Sequence, residues 1–138
     1  KIFKAVGVLQ GQFMAYPKTF LGGVKVTVAY VRKGSGSSRA DIVTAPEKGG
    51  GPHIKFFDNK GNLLSHFFAF NSNFRGGVSL ARVDIDNDGL DEIIAAAGPG
   101  GAPHVRVFEA NGRIIGSFYA YEDSFSNGLN VGSIKISK

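Results

Sequence analysis

The sequence predicts an all-β chain of repeated four-stranded antiparallel sheets, and three observations carry that prediction. A block of 32 residues recurs without a gap at an offset of 51 positions. The segments inside it are short and rich in Val, Ile, Phe and Tyr, separated by Gly, Asn or Pro signals. No segment sustains a helical period over ten residues, whereas alternation recurs, as in Val105 and Val107 against His104 and Arg106. Composition agrees. The chain has 138 residues, is 43% hydrophobic and 20% charged, and carries twenty Gly and twelve Phe. That is the make-up of one folded domain with many turns and Phe as its recurrent core filler.

The elements follow in chain order. KIFKAVGVLQGQFMAY (Lys1–Tyr16) opens the chain as a worn copy of RVFEANGRIIGSFYAY (Arg106–Tyr121), at an offset of 105. That is three more than twice 51, so one unit carries three extra residues. KGSGSS (Lys33–Ser38) is the expected place, flexible by composition and similar to an engineered linker. DIVTA (Asp41–Ala45) then faces EIIAA (Glu92–Ala96). GGGPHIKFFDNKGNLLSHFFAFNSNFRGGVSL (Gly49–Leu80) overlays GGAPHVRVFEANGRIIGSFYAYEDSFSNGLNV (Gly100–Val131), matching Pro52 and His53 with Pro103 and His104, Phe57 with Phe108, Gly61 with Gly112, Phe67 with Phe118 and Phe74 with Phe125. HVRVF, GSFYAY, GGVSLARVD and DEIIAAA read as four strands of a unit. The chain 1–138 is then a single repeat array of about 2.7 repeats of ~51 residues, with units near 1–46, 47–97 and 98–138. One four-stranded sheet cannot bury both faces alone, so successive sheets should stack face to face, and radial stacking gives β-propeller blades.

FRGGVSLARVDIDNDGLDEIIAAAGPGGAP (Phe74–Pro103) resembles the FG-GAP repeat of integrin alpha-subunit propellers and their bacterial relatives. It shows a Phe-Gly opening stretched to Phe-Arg-Gly-Gly, a hydrophobic strand, an Asp-rich loop, a second strand and a closing Gly/Ala-Pro segment. The third copy departs to Phe125-Ser126-Asn127-Gly128. The resemblance covers almost the whole chain and implies that the Asp-rich loop joins the first two strands of a blade. On that phasing the chain runs through the third and fourth strands of one blade, two full blades, and one first strand (Leu129–Ile136). Both ends then lie inside a blade, which implies either a segment of a longer propeller or a subunit completed by neighbouring chains. The resemblance further implies an extracellular or cell-surface module.

Charge is unevenly placed. The chain carries a net charge of +5, yet VDIDNDGLDE (Val83–Glu92) holds five of its eleven acids, and the first forty residues hold seven Lys or Arg and no acid. Asp84, Asp86 and Asp88 stand at positions 1, 3 and 5 of the loop, with Gly89 next, Leu90 at position 7 and Glu92 at position 9. Alternate residues of a tight loop can point carboxylates inward, Gly permits the turn, and the Leu90 carbonyl adds an oxygen. Ca²⁺, which takes six to eight oxygens, suits such a set better than Mg²⁺. The helical twelve-residue calcium loop is excluded, because position 12 is Ala95. FG-GAP loops close with an acid at position 9, which Glu92 supplies. In the first unit the corresponding positions hold Tyr30, Arg32 and Gly34, with only Asp41 surviving, and in the last Lys135 replaces the first acid. One Ca²⁺ site is therefore expected, at Asp84, Asp86, Asp88, Leu90 and Glu92.

The remaining polar residues argue against an enzyme. His53 and His104 recur at repeat spacing after Gly/Ala-Pro, the mark of a packing role, and His66 faces Ser117, which gives it no paired role. There is no GxSxG nucleophile motif, and GPGGAP (Gly98–Pro103) lacks the Lys-Ser/Thr and helix of a phosphate loop. The absence of Cys removes disulfides and thiolate metal sites. Neither a dense basic run nor an RNA-binding aromatic motif is present, which disfavours nucleic acid, and no apolar run approaches a membrane span. The expected function is a non-enzymatic, Ca²⁺-stabilised module for adhesion or for binding a protein or glycan. Its expected contacts are Asn71–Asn73 and Glu122–Ser124. The alternatives are a subunit that assembles with copies of itself into a ring or filament through incomplete blades, and an accessory domain of a larger secreted enzyme.

Overall fold

The structure is a computed structural model and describes residues 1–33 and 40–134. The expectations that fell on residues 34–38 and 135–136, including Gly34 and Lys135, lie outside the described residues. Ten strands and no helix occur among the described residues. β1 (Ile2–Phe3) pairs with β2 (Leu9–Gly11) in a small hairpin. β3 (Val24–Ala29), β4 (Asp41–Pro46), β5 (His53–Phe57) and β6 (Leu63–Phe68) form one antiparallel sheet in chain order, here sheet 1. β7 (Val78–Val83), β8 (Glu92–Ala97), β9 (His104–Phe108) and β10 (Ile114–Tyr119) form sheet 2 in the same order.

The repeat is physical as well as textual. The turn after β5 closes with Asp58 N donating to Asn62 O and Gly61 N to Asp58 O, and the turn after β9 repeats it with Glu109, Arg113 and Gly112. The turn after β1 repeats it again with Lys4, Val8 and Gly7. Gly7, Gly61 and Gly112 all sit at φ between +81° and +90°, a left-handed conformation that glycine adopts without a Cβ penalty. In all three hairpins the register shifts at the strand end beside the turn.

Each sheet has two faces fixed by strand alternation. In sheet 1, Ala29, Val43, Ala45, Ile54 and Phe56 share one face, and Val24, Val26, Val28, Ile42 and Phe57 the other. The first of these packs on Val78, Ile93, Ala95 and Phe108 of sheet 2, and that stack is the main core. The ring of Phe67 lies 4.8 Å from that of Phe108 across the joint. Arg106 Nη1 donates to the Ala69 carbonyl at 2.9 Å, with its guanidinium over the Phe70 ring. The N-terminal segment meets the opposite face of sheet 1 in the same way. Phe13 lies 4.8 Å from Phe57, Lys55 Nζ donates to the Ala15 carbonyl at 2.9 Å, and its ammonium sits over Tyr16. Residues 1–16 therefore hold, against sheet 1, the place that β5 and β6 hold against sheet 2.

The glycine-rich corners lock successive units together. A Cβ on Gly76 would lie 2.1 Å from Pro99 O, and one on Gly22 2.3 Å from Lys48 O. Phe20-Leu21-Gly22-Gly23 is thus the counterpart of Phe74-Arg75-Gly76-Gly77, a match obscured in the sequence by the three-residue shift. The tail obeys the same rule. Gly100 N donates to Ser126 O at 2.8 Å, as Gly49 N does to Arg75 O, and Leu129 N donates to Ala97 O. Val131 N reaches Ser79 Oγ. The tail lies along sheet 2, yet the expected first strand at Leu129–Ile136 is corrected as far as it is described: no strand forms over residues 120–134. A strand needs a ladder partner, and among the described residues no second strand lies beside this segment.

Candidate metal centre

The acidic loop joins β7 to β8, the first two strands of sheet 2. Its shape comes from short side chains bonding their own backbone. Asp88 N donates to Asp86 Oδ1 at 3.1 Å, Leu90 N to Asp88 Oδ1 at 2.8 Å, and Gly89 N to Asp84 Oδ2 at 3.2 Å. Asn87 and Gly89 take positive φ, +61° and +87°, a conformation that Asn tolerates and Gly adopts freely. These turns bring one oxygen each from Asp84, Asp86 and Asp88 within 4.8 Å of one another. Oδ1 of Asp84 is buried and has no hydrogen-bond partner. A buried carboxylate oxygen without a partner is costly, and a cation at the focus of the three acids would remove the cost.

Glu92, at the start of β8, is buried, and its Oε2 accepts from Ile85 N at 2.8 Å. Burial, and then the negative charges of Asp86 and Asp84, hold its carboxyl above the usual carboxylate range. It stands within electrostatic reach of the triad without belonging to its tightest cluster. Leu90 lines the same 320 Å³ hollow as Asp86, Asp88 and Glu92, and Glu109 and Asn111 of the β9–β10 turn line it as well. Glu109 had no signal in the sequence beyond its place in a turn, because only the antiparallel pairing of β8 with β9 brings that turn beside the loop.

The fifth acid does a different job. Asp91 is buried, accepts from Arg82 Nη1 at 2.8 and 3.0 Å, and accepts from Tyr30 N at 2.8 Å. Its own N donates to Tyr30 O at 2.6 Å. Asp91 thus ties the end of β3 to the acidic loop, and Lys33 Nζ approaches Asp88 Oδ2 at 3.5 Å from the same side. The acidic triad and the joint between the sheets share one loop.

The histidines sit elsewhere, on β5, β6 and β9. His66 was expected to have no paired role; instead His53 Nε2 lies 3.0 Å from His66 Nδ1, and one ring nitrogen donates to the other. His104 makes the corresponding contact with Ser117 Oγ at 2.8 Å. Cross-strand register sets His53 opposite Phe68 and His66 opposite Lys55, and His104 opposite Tyr119 and Ser117 opposite Arg106, so both contacts run diagonally between neighbouring strands, which offset matching along one strand does not reveal. Asn71–Asn73 and Glu122–Ser124 lie in the connections that follow β6 and β10, at the end of the sheets opposite the acidic loop. No helix of the described residues is long and apolar enough to cross a membrane. Comparison with protein-family models, curated proteins and solved structures finds no match for the chain.

Proposed function

We propose that the chain is a non-enzymatic binding module of the FG-GAP type, built of stacked β-propeller blades, displayed outside the cell and braced by one Ca²⁺ at Asp84, Asp86, Asp88, the Leu90 carbonyl and Glu92. The observation that carries the cation is the convergence of one oxygen each from Asp84, Asp86 and Asp88 within 4.8 Å of one another, on a loop where Oδ1 of Asp84 is buried without a partner. A hard divalent ion supplies the positive charge that the loop itself lacks, and the oxygen-only donor set favours Ca²⁺. Its role is structural. The same loop carries Asp91, which holds the end of β3, so stiffening the loop stiffens the joint between two blades.

The binding role rests on the resemblance and on the division of labour between the two ends of the sheets. The cation brace occupies one end, while the connections at Asn71–Asn73 and Glu122–Ser124 present exposed polar side chains at the other, free to take a protein or glycan ligand. The test is calorimetric titration of the chain with CaCl₂, beside a thermal melt with Ca²⁺ and with EDTA. One saturable site and a raised melting temperature are expected. A flat titration at millimolar Ca²⁺ together with superimposable melts would remove the cation from this reading.

A further inference from the structure

We infer that His53 and His66 form a transition-metal site on β5 and β6 of sheet 1, and that Cu²⁺ is the ion it takes most tightly. The inference goes beyond the binding reading above and makes no use of the acidic loop. His53 Nε2 and His66 Nδ1 stand 3.0 Å apart, as diagonal neighbours on one face of the β5–β6 pair. With metal–nitrogen bonds of about 2.0 Å, that separation subtends an angle close to a right angle at the ion. Adjacent ligands of a square-planar centre meet at this angle, which is the geometry of Cu²⁺ and Ni²⁺, and imidazole sites hold Cu²⁺ ahead of Ni²⁺ and Zn²⁺. An ion held there would stitch β5 to β6.

One ring is fixed and the other is free to adjust. His53 stacks on Phe68 with centroids 4.5 Å apart and planes 19° from parallel. The exposed His66 ring meets it at 77°, and a small swing brings both lone pairs to one point. In the metal-free pair one ring nitrogen donates to the other. A metal needs both lone pairs, so the donor ring moves its proton to its second nitrogen and both rings stay neutral. No carboxylate or third imidazole joins the pair among the described residues, so water completes the shell from the exposed side. Sheet 2 shows what removes such a site. There Ser117 stands in place of His66, and His104 Nε2 accepts from Arg106 Nε at 3.3 Å beside its 2.8 Å contact with Ser117 Oγ. The counterpart of Arg106 in sheet 1 is Lys55, whose ammonium is drawn instead to the Ala15 carbonyl and the Tyr16 ring. Burial, and then the Lys55 charge, still disfavour positive charge at His53, so removing that charge should tighten the site.

The test titrates the 138-residue chain with CuCl₂ at pH 7.5, with millimolar Ca²⁺ present to occupy the acidic loop. One equivalent of Cu²⁺ should bind, electron paramagnetic resonance should show two coordinated nitrogens, and the imidazole proton signals of His53 and His66 should broaden while those of His104 stay sharp. His66→Ser copies the second unit at an exposed position and should abolish saturable uptake, as should His53→Gln, and Lys55→Gln should lower the Cu²⁺ concentration at half-saturation. Circular dichroism checks that each variant folds. A wild-type chain without saturable uptake overturns the inference, as does uptake that survives His66→Ser. Equal broadening at His104 also overturns it, by assigning the copper to single rings. Copper that binds only when Ca²⁺ is left out sits on the acidic triad and overturns this site while supporting that one. A flat Ca²⁺ titration beside Cu²⁺ uptake at the two histidines would remove the calcium alone and leave this inference standing.

Discussion

Arg32 donates through Nε and Nη2 to both carboxylate oxygens of Asp41, at 2.6 and 2.5 Å, and the Asp41 side chain is only 1% exposed. Ala29 pairs with Asp41 as Val83 pairs with Glu92, so Arg32 is the counterpart of Asp86 and Asp41 that of Glu92. In the first unit a guanidinium stands where the second unit has an acid. The two loops solve one problem, a buried acid at the start of the second strand, with a built-in cation in one case and an open acidic cluster in the other. Arg32→Gln should therefore cost about 2–3 kcal/mol, because it strands a buried carboxylate while the exposed half of Arg32 moderates the loss. Urea unfolding measures this, and Ca²⁺ should not restore it. A loss below about 0.5 kcal/mol would mean that solvent already screens the pair.

The second loop should respond to metal. With an affinity of about 0.1 mM, as in extracellular modules, millimolar Ca²⁺ adds about 1.4 kcal/mol and raises Tm by roughly 3–8 °C. Asp84→Asn should abolish that response, yet leave the calcium-free protein as stable as wild type or slightly more so, since it removes one of three crowded charges and keeps the acceptor for Gly89 N. A variant that loses stability equally with Ca²⁺ and with EDTA would show that Asp84 serves the turn alone.

Much of this was legible in the sequence because repeats leave gapless offsets, and a gapless offset fixes strand phase. The pairing of β5 with β6, and of β9 with β10, follows from the matched hairpins around Gly61 and Gly112. What stayed hidden depends on contacts between units. Phe20 was missed as a corner residue because the three-residue insertion shifts its frame, and Asp91 was read only as part of an acidic run. Its partner Arg82, 9 positions away, meets it across the β7–β8 pairing, and Tyr30, 61 positions away, meets it only when the sheets stack. Arg32 was read as a lost ligand, since spacing shows that an acid is gone and not that its replacement folds back on Asp41.

The corner glycines make a sharper test of that stacking. Gly77 has φ +83°, and a Cβ there would meet Lys48 N at 2.6 Å and the Glu47 carbonyl carbon at 2.7 Å, both backbone atoms. Gly49 has φ +99° and nothing within 4 Å. Gly49→Ala should then cost about 1–2 kcal/mol for the left-handed conformation alone. Gly77→Ala pays that cost and must also push the start of β7 away from the turn after β4, so about 3 kcal/mol or more is expected. Denaturant midpoints compare the two, and equal losses would mean that the corner yields easily.

Acid should weaken the protein through its histidines. The His53 ring stacks on Phe68 with centroids 4.5 Å apart, and burial, then the nearby charges of Lys55 and His66, push its pKa down to about 4 from 6.5. Burial, followed by Arg106, lowers that of His104 as well. The unfolded chain takes up the His53 proton near pH 6.5, while the folded protein resists it until about pH 4. Between those values the unfolded state binds more protons, so stability falls as pH falls, and the loss is complete once the folded His53 is also charged. Glu92, shifted upward, works in the opposite direction at the acid end of that window. The informative quantity is therefore the difference between wild type and His53→Asn at pH 7.5 and at pH 5. Urea midpoints should show wild type losing more than the variant on acidification, and His53→Asn/His104→Gln should flatten the dependence further. An identical difference at both pH values would mean that the His53 ring reorients into water and accepts its proton without cost to the fold.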